Sequence, residues 1–201
     1  GRDLNRAFPG KKTGSLAAQI AHQLTQSVLP YVDLALDFHT GGAQRYNAPQ
    51  IRLSGQDPEL LKMAKIFGAP FVIHNKPTPK SLRHTCDKKN IPLLLFEGGK
   101  SNNITPLISN AGVNGVKRLM HHLDMLSPKF KVSVPKHQTV EIISSSWVRA
   151  GSAGMFKPLI EVGKWTEKRS VIGQISDPYG QSLSPVLAPN AGYIFNVNQA
   201  P

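Results

Sequence analysis

The chain has 201 residues, enough for one large or two small domains with a sizeable core, and no apolar run reaches the roughly 18 residues of a bilayer crossing, so a soluble protein without a membrane partner is expected. Lys and Arg number 24 against 12 Asp and Glu, a net charge of +12; the basic residues are scattered, with pairs such as Lys11-Lys12 and Lys88-Lys89 as the longest runs, which argues against nucleic acid and for a field that draws in a small anionic substrate. Cys86 stands alone, which excludes an internal disulfide and fits a reducing cytoplasm.

The first predicted element is an amphipathic helix over 15–29. Ser15 is its N-cap, Leu16, Ile20, Leu24 and Val28 recur at helical spacing, and Pro30 follows. Residues 32–38 alternate apolar and polar side chains and read as a strand. A helix over 58–67 is closed by Gly68, a short strand covers 71–73, and a second helix covers 81–90 with Ser81 as cap. The continuously apolar run 93–96 suits a strand buried on both faces of a parallel sheet. A last helix spans 110–126, with Val113, Val116, Met120 and Leu123 inward. Alternating strands and helices imply an α/β fold, a mostly parallel sheet flanked by helices. Ligands of such sheets bind beyond the carboxyl ends of strands. His39 directly follows one predicted strand and Glu97 another, so both can face one crevice.

Beyond Ser127 the texture changes. Pro128 and Pro135 bracket a linker, and short β-rich runs follow over 139–146, 147–150, 155–161, 170–176, 184–188 and 193–197, punctuated by glycines. The division read from this is an α/β domain over 1–130 and a small all-β domain over 136–201.

His39 is the leading metal-ligand candidate, because a neutral imidazole binds Zn²⁺ well and a strand end holds the ring still. Asp37 precedes it and Gly41-Gly42 lets the chain bend beside a ligand. Glu97 ends the most apolar run, where a carboxylate is poorly solvated and suited to general-base work. Arg6 offers a planar fork for a carboxylate, Asn5 adds a donor, and Arg83 is a second fork. The other histidines lack partner motifs, and no Gly-x-Ser-x-Gly elbow or phosphate loop occurs.

Asp3-Leu4-Asn5-Arg6 with Phe8-Pro9-Gly10, Asp37-Phe38-His39-Thr40-Gly41-Gly42, Ser81-Leu82-Arg83 and Phe96-Glu97-Gly98-Gly99 together resemble the succinylglutamate desuccinylase/aspartoacylase family, a branch of the zinc carboxypeptidase-like enzymes. The resemblance runs from residue 2 to about 126. It continues into the β module, where 188–192 resembles a barrel-sandwich, lipoyl-like domain. It implies a zinc-carboxypeptidase-like fold. It further implies His39 as a zinc ligand, Glu97 as the base that deprotonates the zinc-bound water, and Asn5 and Arg6, helped by Arg83, as the grip on a carboxylate-bearing substrate. The implied reaction is hydrolysis of an N-acyl amino acid, or a related small amide or ester. The family's His-x-x-Glu motif, which supplies its first two zinc ligands, and its transition-state arginine lie upstream of the Asp-Leu-Asn-Arg motif and are absent here. Two further ligands for the one zinc ion are therefore expected upstream of Gly1, and the chain as it stands is expected to turn over poorly. The β module has no Lys at its best hairpin tip, 176–180, and reads as structural, shaping the site entrance or a homo-oligomer contact. The competing reading is a non-enzymatic module that holds small anionic ligands.

Overall fold

Capping side chains start the helices where the sequence signals them. The computed structural model describes residues 3–181 and 183–199. The Ser15 side chain accepts from the Ala18 N–H and begins α1 (Leu16–Gln23). Asp57 accepts from Glu59 and Leu60 and begins α2 (Pro58–Phe67), which Gly68 ends in the left-handed conformation at φ 75°. Ser81 accepts from His84 and begins α3 (Leu82–Lys88). Each cap satisfies N–H groups that the first turn leaves without an intrahelical partner. The fourth helix, α4, spans Pro106–His122.

The strands of this half are β1 (Ala35–Gly41), β2 (Arg45–Leu53), β3 (Phe71–His74), β4 (Leu93–Lys100) and β5 (Val140–Ile142). They form one sheet in the order β1-β4-β2-β3-β5. β5 lies parallel to β3. The Ala35 N–H donates to Pro92 O and the Ser101 N–H to Gly41 O, each at 2.9 Å. β1 and β4 therefore advance in the same direction, and the fold is α/β with a mixed, mostly parallel sheet.

Three expectations are corrected. β1 begins three residues later than predicted and runs through His39, and β4 runs on through Gly98 and Gly99. His39 and Glu97, expected directly after strands, therefore sit inside them, because ladder bonds outlast the local turn signal of a glycine pair. The first helix stops at Gln23 and changes pitch into a π-turn over Leu24–Val28 and a 3₁₀ turn over Leu29–Tyr31. Its buried face is Ala21, Thr25 and Leu29, while Leu16, Ile20 and Val28 are exposed. α4 starts four residues early and turns Ile108, Gly112, Gly115 and Leu119 inward, with Val113 and Leu123 exposed. A Cβ at Gly115 would lie 2.4 Å from the Phe67 ring. The helix approaches through its glycines rather than its valines.

In the C-terminal run the strands are β6 (Met155–Pro158), β7 (Trp165–Thr166), β8 (Val171–Ser176), β9 (Leu183–Leu187), β10 (Gly192–Tyr193) and β11 (Asn196–Asn198). β6-β8-β9 form an antiparallel sheet and β7 pairs with β10. Residues 147–150 form no strand. Two short strands pair with the main sheet instead: β5 beside β3 and β11 antiparallel to the start of β2. Contacts group the chain into two compact units. One holds the chain up to Phe38, Ile51–Phe96 and Gly112–Ile143; the other holds His39–Gln50, Glu97–Ala111 and the chain from Ser144. Among the described residues no helix is long and apolar enough to cross a membrane.

Candidate active site

The side-chain period of two decides which way His39 and Glu97 face. Leu93 and Leu95 of β4 pack with Leu29 and Cys86, and Ala35 of β1 packs against the same cluster. Glu97 continues the Leu93–Leu95 face, and His39 continues the Ala35–Asp37 face. The two strands are neighbours in the sheet, and the bond from Ala35 to Pro92 brings their starts level. His39 is the fifth residue of its strand and Glu97 the fifth of its own. The bond from Ser101 to Gly41 shows β4 one residue ahead by the strand ends; Gly99, past Glu97, has φ 69°.

Glu97 is held from its other side. Asn47 of β2, 1% exposed, donates its Nδ2 to Glu97 Oε1 at 2.9 Å. Sequence reasoning passed over Asn47. The available signal was an asparagine amid the otherwise well-buried residues of a strand, where an amide is kept only if something pairs with it.

The predicted carboxylate grips differ in what they touch. The Asn5 Oδ1 accepts from the Leu82 N–H at 2.8 Å, at the first residue of α3. Arg6 follows in the same 3₁₀ turn, Leu4–Arg6, and its guanidinium is exposed, 4.0 Å from Asp3 and bonded to Asn5 O. Arg83 is buried at 5% exposure, donating Nη1 to Asn75 Oδ1 and Nη2 to Lys76 O. It is therefore not a solvated helix arginine. A cavity of about 210 Å³ touches Arg83, Ser54 and Asp57 and opens beside Pro92 and Leu93, at the start of β4.

Cys86 is fully buried, which disfavours it as a nucleophile. Burial, reinforced by the Asp37 charge and opposed by Lys89, pushes its thiol up to about 11. His74 is structural: Nε2 meets Glu141 at 2.7 Å and Nδ1 meets Gly55 O at 2.9 Å, tying β3 to β5. Among the described residues no group of three or more His, Cys, Asp or Glu side chains is placed to hold a metal ion. His39 is one imidazole where a catalytic zinc takes about three protein ligands, so these residues do not fit a complete zinc site by themselves.

Residues 1–123 match the model of the succinylglutamate desuccinylase/aspartoacylase catalytic domain. A relative from Halomonas elongata, N-alpha-acetyl-L-2,4-diaminobutyric acid deacetylase, is 24% identical over 194 residues, covering 92% of this chain and 57% of that protein. Two solved structures share the fold. The ectoine utilization protein EutE (DoeB) from Ruegeria pomeroyi superposes with a TM-score of 0.83 at 21% identity over 96% of this chain and 64% of its own. A succinylglutamate desuccinylase/aspartoacylase from Rhodobacter sphaeroides reaches 0.85 at 23% identity over 100% and 64%. The chain thus spans less than two thirds of the length of these relatives. On a family model that covers more than half of its residues, with the same fold in both structures, the chain belongs to the succinylglutamate desuccinylase/aspartoacylase family.

Proposed function

We propose that this protein is a hydrolase that removes the acyl group from N-acyl amino acids, or from related small amides or esters. The observation that supports the reading is the bond from buried Asn47 to the Glu97 carboxylate, on the strand next to the one that carries His39. In this reading Glu97 takes a proton from the water that attacks the acyl carbonyl and returns it to the departing amine, leaving a free carboxylate and an amino acid. Arg6, with its guanidinium in solvent, and the Asn5 amide are the leading grip on the substrate carboxylate. Arg83, committed to Asn75 and Lys76, braces the segment leading to Leu82, the partner of Asn5. His39 is proposed as one ligand of a zinc ion whose other ligands are not among the described residues, and no step is assigned to that ion.

The test is hydrolysis of N-acetyl-2,4-diaminobutyrate, N-acetylaspartate and N-succinylglutamate by the full-length gene product with zinc added. Glu97→Gln should lower kcat on the substrate that reacts by about 10² to 10⁴-fold. Wild-type turnover by Glu97→Gln would sink the mechanism. Binding of these anions without hydrolysis, indifferent to Glu97→Gln, would support the anionic-ligand module instead.

A further inference from the structure

We propose that Asn47 and Asn196 are positioning residues for Glu97, and that through them the C-terminal β segment sets the geometry of the base; this rests on the reading of Glu97 as that base. The amide of Asn47 is a two-ended connector. Its Nδ2 donates to Glu97 Oε1 at 2.9 Å, and its Oδ1 accepts from Asn196 Nδ2. Asn196 begins β11 and stands directly opposite Asn47 in the antiparallel register. Backbone bonds on either side lock that register: Ala48 N–H to Phe195 O at 2.9 Å and Gln199 N–H to Gln44 O at 2.8 Å. Asn47, Glu97 and Asn196 all belong to the same compact unit.

The chemistry follows from the asymmetry of an amide. Turned over, Asn47 would aim its carbonyl oxygen at the carboxylate, acceptor against acceptor. The Nδ2 of Asn196 favours the other orientation, because it meets Oδ1 as a donor meets an acceptor. Asn196 thereby selects the rotamer in which Asn47 offers a donor to Glu97, and the donor sets the plane of the carboxylate. Asn47 is almost wholly buried, where an amide without partners is unfavourable. Its retention at this point of β2 is accounted for by the two bonds it makes. The β segment, whose role the sequence left open, thus reaches Glu97 through one strand and one side chain.

The experiment uses the full-length gene product and the variants Asn196→Ala, Asn47→Ala and the double variant. Each single variant should lower kcat about tenfold with KM changed by less than about twofold, as loss of an orienting partner does, while zinc content and melting temperature hold. Asn196→Ala should add nothing on the Asn47→Ala background, because it acts through that residue. The ¹³C carboxyl resonance of Glu97 should move in both single variants. Folded Asn196→Ala with an unmoved Glu97 resonance, or with wild-type kcat, would overturn the proposal. If Asn47→Ala fails to fold, the partly exposed Asn196→Ala carries the test. If the wild-type protein hydrolyses no acyl amino acid, the functional reading has failed. The Glu97 resonance then still decides the relay.

Discussion

Gly115→Ala and Gly112→Ala should move the stability of this protein in opposite directions, although both add one methyl to the same helix. Each exchange gains about 1 kcal/mol of helix propensity. At Gly112 the new Cβ meets Phe38 Cε1 at 3.3 Å and Phe96 Cε1 at 3.5 Å. The Phe38 ring is half-exposed and can yield by a few tenths of an ångström, so a net gain of about 0.5–1 kcal/mol survives. At Gly115 the Cβ lies 2.4 Å from both Cε1 and Cζ of Phe67, about an ångström inside ordinary carbon contact. Phe67 is 1% exposed and its ring centroid is 5.3 Å from that of Phe96, so the ring has nowhere to go. Overpacking of this size costs about 3 kcal/mol, which leaves a net loss of about 2 kcal/mol. For a chain of this length the melting temperature should fall by about 4–8 °C in Gly115→Ala and rise by about 1–4 °C in Gly112→Ala. Circular-dichroism melts at fixed pH and concentration read both. A Gly115→Ala protein that melts at or above wild type would refute the close approach of α4 to α2.

Arg118 donates to Ile66 O and Phe67 O at the end of α2 and to Ser133 O and Oγ. Burial holds its guanidinium below the usual range. Arg118→Leu should cost about 2–4 kcal/mol in urea unfolding and Arg118→Lys should recover less than half, since an ammonium cannot reproduce the fork; full rescue by Lys would show that charge alone matters. The Cys86 thiol, pushed from an ordinary 9.0 up to about 11, should react with a disulfide reagent far more slowly in native than in unfolded protein. Because the folded value is the higher one, its contribution to stability is present below about pH 9 and is lost as pH rises toward 11. Cys86→Val should flatten that alkaline slope, and an unchanged slope would contradict the burial argument. The 201-residue chain, loaded with zinc and passed through gel filtration, should retain no stoichiometric metal by elemental analysis, because His39 alone is one ligand of about three. Stoichiometric zinc, abolished by His39→Ala, would mean that this chain completes the set itself.

Much of the fold was legible because its signals are local. Ser15, Asp57 and Ser81 each satisfy their own first turns, Gly68 closes α2 at the predicted residue, and the apolar run from Leu93 reads as a buried strand and is one. The inward faces of the first and last helices were missed by one position. Hydrophobicity marks valine and isoleucine as buried, whereas α4 packs through Gly112 and Gly115, which carry no hydrophobic signal and matter only because Phe67 and Phe38 come so close. The boundaries of β1 and β4 were missed because strand ends depend on partners, and the partners are far away in sequence.

The candidate site divides along the same line. Residue chemistry and spacing single out His39, Glu97, Asn5, Arg6 and Arg83, because imidazole, carboxylate, carboxamide and guanidinium groups are visible in the letters alone. What each one touches depends on tertiary contact. Arg83 is buried against Asn75 and Lys76 while Arg6 faces solvent, a difference that two identical side chains cannot announce. Asn47 and Asn196 lie 149 positions apart, and no local pattern joins them. Their pairing exists only because β11 lies against β2, and that sheet register, rather than any motif, brings a donor to the carboxylate of Glu97.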